Sequence, residues 1–217
     1  MKKINIVLIF LLLSIFTVLS FVTTTHATPI ISSTGLPDAP VIITFDELVF
    51  PQGTEITNQY ASLGVTFSPV TYYNSQGSLD GLGIVGISGN YVGNFSATAA
   101  PSDSFSIIFT FSTPQIKAAF GLATNPGTTT LTALLDGTVV ETFSSSTTYD
   151  NPSTAFLGFT GILFNEITIS TTDAYGDHFA LVDTIQDCAV PVAEPATICL
   201  LGSGLLGVGW LMRRRKV

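Results

Sequence analysis

Charge is what this sequence has least of. Asp, Glu, Lys and Arg make up 10% of its 217 residues, against roughly 25% in an ordinary soluble protein. Basic residues are scarcest. Of the seven, only Lys117 stands away from the ends, the others being Lys2, Lys3, Arg213, Arg214, Arg215 and Lys216. Between residues 28 and 193, ten Asp and four Glu face that one Lys, a net of −13. A surface without cations cannot neutralise phosphate, so this middle excludes nucleic acid as a partner, and an anionic membrane surface repels it. Histidine is nearly absent too. His178 is the only one beyond residue 26, too few for a His-based zinc site, and no Cys cluster replaces it. The two cysteines, Cys188 and Cys199, make no disulfide framework. Cys199 lies in a long apolar run and Cys188 outside it, whereas a disulfide needs Cα atoms within ~7 Å. The one Trp, Trp210, lies in that same run.

What the sequence does have is apolar length at both ends, which raises its mean hydropathy to +0.53. Lys2 and Lys3 precede an apolar stretch from Ile6 to about Val22. Thr25-His26-Ala27 then places small residues at the −3 and −1 positions of a cleavage site. Residues 1–27 therefore read as a signal peptide cut after Ala27 by signal peptidase, and the middle is exported. At the other end, 196–212 is a run of 17 residues without charge, enough for a short membrane helix. Gly202, Gly204, Gly207 and Gly209 interrupt it, as a bilayer tolerates and a soluble helix does not. The basic tail 213–217 should stay inside by the positive-inside rule.

Glu194-Pro195-Ala196-Thr197, then the apolar run, then Arg213-Arg214-Arg215-Lys216, resembles the PEP-CTERM sorting signal. In that family a Pro-Glu-Pro motif precedes a short Gly/Leu helix and an Arg cluster. Ala193 stands where the first Pro is expected. The resemblance implies an exosortase as processing partner. It implies a precursor anchored in the inner membrane, then release or transfer to the cell surface or extracellular matrix, usually alongside exopolysaccharide. Residues 191–217 are taken as that signal.

Residues 28–190 read as one all-β domain. Phe105, Ile107, Phe109 and Phe111 alternate with polar residues, the period of a half-buried strand. Two runs, 130–135 and 138–143, flank Asp136-Gly137, a type I′ hairpin signal. Further strands are expected at 41–46, 65–68, 84–88, 116–123, 155–160, 166–170 and 179–185, and no stretch carries a helical period. Nine or ten short strands predict two packed sheets, a β-sandwich or jelly roll with Phe residues between them. Three segments, Ile43-Thr44-Phe45-Asp46-Glu47-Leu48, the stretch 56–67 and Phe179-Ala180-Leu181-Val182-Asp183, resemble the β-sandwich domains of PEP-CTERM surface proteins. Those are similar in turn to carbohydrate-binding jelly rolls.

Chemistry is sparse. No Gly-x-Ser-x-Gly elbow accompanies His178, and no carboxylate pair is marked out by sequence, so the chain is read as no enzyme. Acidic oxygens are the better lead. Asp46 and Glu47 end one strand and Asp183 lies in the last. If those strands pair, the carboxylates meet and could hold calcium, with Asp173 and Asp177 in a nearby loop; the plainer reading is a set of solvated strand-end acids. For polysaccharide, Tyr72, Tyr73 and Asn74, and Tyr91 after Asn90, sit in loop-like surroundings. There, exposed rings could stack on sugars while amides bond hydroxyls; the plainer reading is packing at loop bases. The expected role is a surface or matrix protein that binds polysaccharide, or a structural matrix protein without a discrete ligand, with a secreted hydrolase behind both.

Overall fold

The computed structural model describes residues 27–75, 84, 87–95, 106–173 and 179–189. Ten strands lie there: β1 Thr28–Ser32, β2 Val41–Ile43, β3 Val65–Phe67, β4 Tyr72–Asn74, β5 Tyr91–Gly93, β6 Ser106–Thr124, β7 Gly127–Leu135, β8 Thr138–Thr147, β9 Phe156–Asp173 and β10 Ala180–Ala189. The only helical elements among the described residues are two 3-10 turns, Ala61–Leu63 and Pro152–Thr154. All ten strands join one sheet in the order β4-β5-β10-β6-β9-β7-β8, with β1 on β9, β2 on β10 and β3 on β6.

That sheet turns over on itself. Phe109 and Phe120 are both in β6 and would stand ~36 Å apart in a straight strand. Their ring centroids are 5.0 Å apart. β6 bends where its register against β9 breaks, between Thr110 and Gln115 and again between Gln115 and Lys117. The solvent-exposed stretch Ser112–Pro114 lies at that break, and on β9 Gly161, at φ 85°, adopts the left-handed conformation there. One layer then consists of β8, β7, the second half of β9, the first half of β6, and β3. The other holds β1, the first half of β9, the second half of β6, β10, β2, β5 and β4. Phe109, Leu131, Ile167 and Ile169 of the first layer and Phe120, Leu157, Phe159 and Ile185 of the second belong to one fully buried cluster. Phe143 of β8 meets Phe159 across the layers at 5.1 Å.

The all-β reading holds, with one correction: the sheets are not two but one continuous sheet that is folded over. β6 and β9 bend together, paired on both sides of the corner with Gln115 opposite Phe164 within it, so what sequence reads as four short strands is two long ones. The hairpin forms as its turn chemistry requires, with Asp136 at φ 50° and Gly137 at φ 77°. Ile84, Ile87 and Ser88 are not in a strand; Ile84 and Ile87 instead pack on Tyr91, Ala123 and Leu181. β1 was not expected, and β4 and β5 occupy segments that read as loops. Among the described residues no helix is long and apolar enough to cross a membrane. The expected signal segment before Ala27, the run 196–212 and the basic tail lie outside the described residues.

Candidate functional site

β2 stops at Ile43, short of Asp46 and Glu47, but it does pair with the last strand, Ile43 standing opposite Ile185 of β10. After β2 the chain turns through Phe45, which holds the left-handed conformation at φ 63°, costly for a bulky residue. Its buried ring is fixed against Tyr60 at 5.3 Å and Phe67 at 6.0 Å. The Tyr60 hydroxyl donates to the Phe45 and Leu48 carbonyls at 3.3 and 3.4 Å, which pins this loop. Burial, then the neighbouring Tyr73, Glu47 and Asp46, pushes that hydroxyl's pKa up.

The turn sends Asp46 to the loop before β5. Asp46 Oδ1 accepts from the Asn90 backbone N–H at 2.9 Å and from Asn90 Nδ2 at 2.6 Å. Asp183 Oδ2 accepts from the Ser88 N–H of the same loop at 3.0 Å. Asp183 sits at the irregularity between Val182 and Thr184 where β10 shifts register against β6, and it is only 4% exposed. Burial, opposed by the Ser88 hydrogen bond and reinforced by the charge of Asp46, lifts its pKa to about 7. Two of the three expected acids therefore converge on Ser88–Asn90. The third does not: Glu47 Oε1 turns back to accept from Thr44 N–H and Oγ1 at 2.8 and 3.1 Å. Asp173 lies in β9 rather than a loop and accepts from Asn125 Nδ2 at 2.9 Å. Asp177 and His178 lie outside the described residues, among which no three His, Cys, Asp or Glu side chains gather into a metal-holding group. Asp187, also in β10, is buried, and that burial raises its pKa to about 6.

The aromatic platform is corrected. Tyr73 is 0% and Tyr91 3% exposed, so neither offers a ring face to a sugar. Tyr73 stacks edge-on against Phe50 at 5.4 Å, and Tyr91 packs with Ala123 and Leu181. Asn74 is buried as well. Its Nδ2 donates to the Tyr72 and Phe95 carbonyls and its Oδ1 accepts from Gln52 Nε2. Only Tyr72 remains half-buried. The short strands β4 and β5 pair here, with Tyr73 beside Val92 facing the main core and Asn74 beside Tyr91 on the opposite face, where Tyr91 belongs to a second small cluster.

A surface that sequence reading did not single out lies on the other layer. Where Leu131, Ile167 and Ile169 point inward, the intervening residues are almost all Ser or Thr. One row across the strands is Thr142, Thr132, Thr168 and Ile108; the next is Ser144, Thr130, Ser170 and Ser106; the third is Ser146, Thr128 and Thr172. Thr130 Oγ1 and Ser144 Oγ share a hydrogen bond at 2.8 Å, and Thr142 donates to Thr132 at 3.3 Å. The rows carry no charge; Glu166 stands one row beyond, level with Thr110. Strand spacing near 4.8 Å and a ~6.7 Å repeat along each strand give this face a regular lattice of hydroxyls and methyls. Its signal in the sequence is alternation of Ser/Thr at 128–132, 142–146 and 168–172.

Residues 191–216 match the family described as the PEP-CTERM protein-sorting motif. No curated protein matches the chain. Among solved structures, an isomalto-dextranase of Arthrobacter globiformis T6 complexed with panose is similar at 16% identity with a TM-score of 0.31, over 76% of this chain and 33% of that one. The chain thus spans about a third of that enzyme's length. With its β-rich domain followed by residues 191–216, the chain carries a PEP-CTERM sorting signal, which marks it as an exported, surface-sorted protein processed by an exosortase.

Proposed function

We propose that the protein is a non-catalytic component of the extracellular matrix whose sandwich-type domain holds neutral polysaccharide on the Ser/Thr face of its outer layer. The observation that carries this reading is the face itself: three registered rows of hydroxyls without a charge, on a domain otherwise strongly acidic. An anionic polymer is repelled by the domain, and a cationic one finds no carboxylate in those rows. An extended neutral chain offers hydroxyls at comparable intervals, and methyl groups between the hydroxyls suit the C–H faces of its sugars. Retention on insoluble neutral glucans tests it. Thr132→Lys with Ser170→Lys, which plants two long charged side chains mid-face, should reduce retention at least tenfold while leaving the melting temperature nearly unchanged. Wild-type retention in that variant removes the face from the reading. Absence of retention on any neutral polysaccharide favours the structural matrix role, and release of reducing ends favours a hydrolase.

The same proposal includes the fate of the tail. A precursor anchored by residues 196–212 is cut near the Glu194-Pro195 motif, so the surface form should lack Arg213, Arg214, Arg215 and Lys216. Intact-mass measurement of surface-extracted protein checks this. A mature species that still ends at Val217 would show a plain single-span anchor instead.

A further inference from the structure

We propose that Asp46 and Asp183, with the Ser88–Asn90 loop between them, form a calcium site that ties the end of β2 to β10. The loop is held by one carboxylate on each side: Asp183 takes the Ser88 N–H and Asp46 takes both Asn90 donors. Asp183 Oδ1 is buried and has no hydrogen-bond partner. A carboxylate oxygen so placed is costly, and folded proteins rarely leave one unanswered. Among the described residues the one Lys or Arg side chain, Lys117, is not placed to answer it. Lys117 lies opposite Cys188 and Thr160, several residues along β6 from Gly121 and Leu122, which stand beside Asp183.

The surroundings suit a hard cation. Asp46 Oδ2 lies so close to Gly89 that an added Cβ would sit 2.4 Å from it, and Gly89 holds φ +82°, so only glycine fits between loop and carboxylate. Thr184 Oγ1, 3.5 Å from Asp183 Oδ2, adds a hydroxyl oxygen beside that carboxylate. Asp46 is exposed, which opens the site to solvent. Two carboxylates and a hydroxyl suit calcium, which takes 6–8 oxygens, water included, in flexible arrangements, better than magnesium, which demands a near-ideal octahedron, or zinc, which prefers nitrogen and sulfur. Bound there, the ion would meet the orphaned oxygen and neutralise two neighbouring carboxylates at once.

The test is a thermal melt of the full chain in detergent after chelation, with calcium, magnesium or sodium chloride added at equal ionic strength. Calcium at a hundredfold over its dissociation constant should raise the melting temperature by about 5–10 °C more than either other salt. Asp183→Asn should abolish that difference without lowering the melting temperature in chelator, because it also removes a buried charge. Asp46→Asn, at an exposed position, should abolish it independently and decides alone if Asp183→Asn does not fold. Equal shifts in the three salts, or a calcium shift that survives either variant, overturns the site.

Discussion

Gly158→Ala is expected to cost about 3 kcal/mol or more, the top of the usual range for a single overpacking substitution, and so to remove much of the stability an ordinary domain has. Gly158 lies in the first half of β9, with Ile30 of β1 on one side and Ala119 of β6 on the other. A Cβ there would stand 2.0 Å from the Ala118 carbonyl oxygen and 2.7 Å from the Ala119 Cα. Both are backbone atoms of the neighbouring strand. No side chain can rotate away, so the new methyl fits only if β6 and β9 separate. Those two strands carry the corner between the layers, so separation there disturbs the whole core. Gly137→Ala is the control. Gly137 holds φ +77° at the hairpin turn, and nothing lies within 4 Å of an added Cβ, so only the local conformational cost of about 1–2 kcal/mol is expected. Urea melts of the two variants beside wild type check the contrast. A Gly158→Ala loss no larger than that of Gly137→Ala would show that the strands have room the structure denies them.

The residues that could be read correctly from sequence are those governed by local rules. Alternation puts Ile107, Phe109 and Phe111 inside, and they are. Asp136-Gly137 closes its hairpin because two positive φ values are needed and these residues supply them cheaply. What local rules do not register is where strands bend and merge. The stretch between Phe111 and Ile116 reads as a break because Ser, Thr and Pro interrupt the pattern. In the fold it is a corner of β6 between two stretches paired to β9, with Gln115 opposite Phe164 inside it. β4 and β5 escaped notice for a related reason. Three-residue strands carry too little period to separate them from the Gly/Asn/Ser-rich segments around them, and of the Tyr residues that looked like an exposed platform, Tyr73 faces the main core while Tyr91, on the other face, is covered by a second small cluster.

The acids show both sides of the same limit. That the strand before Asp46 meets the last strand follows from a simple idea about how such folds close, and Ile43 opposite Ile185 agrees. That Asp46 and Asp183 grip one loop, while Glu47 folds back on Thr44, depends on the left-handed turn at Phe45 and the register shift at Asp183. Neither leaves a mark in the sequence. The Ser/Thr face is the converse case. Its alternation is present at 128–132, 142–146 and 168–172, but each segment alone is only a polar strand face. Register across β6, β9, β7 and β8 makes it a surface.

Phe109→Ala is expected to cost about 3–5 kcal/mol, the range for a buried aromatic cut to a methyl. Phe109 is fully buried, and its ring lies between two others, Phe67 of β3 at 5.2 Å and Phe120 of the facing layer at 5.0 Å. Aromatic contacts of this kind add about 0.5–1.5 kcal/mol each beyond area alone. The cost also depends on whether the hole can close. Phe67 cannot move in freely, since Phe45 and Tyr60 hold its other sides at 6.0 and 5.9 Å, and Phe120 is fixed in a strand paired on both edges. The cavity should therefore persist and the loss fall toward the top of the range. Ile108, the next residue, points to the hydroxyl face and is half-buried, so Ile108→Ala should cost under ~1 kcal/mol. Denaturant melts of the two variants read the facing of β6 directly. Equal losses would mean that the two faces of this strand are buried alike, which the folded-over sheet does not allow.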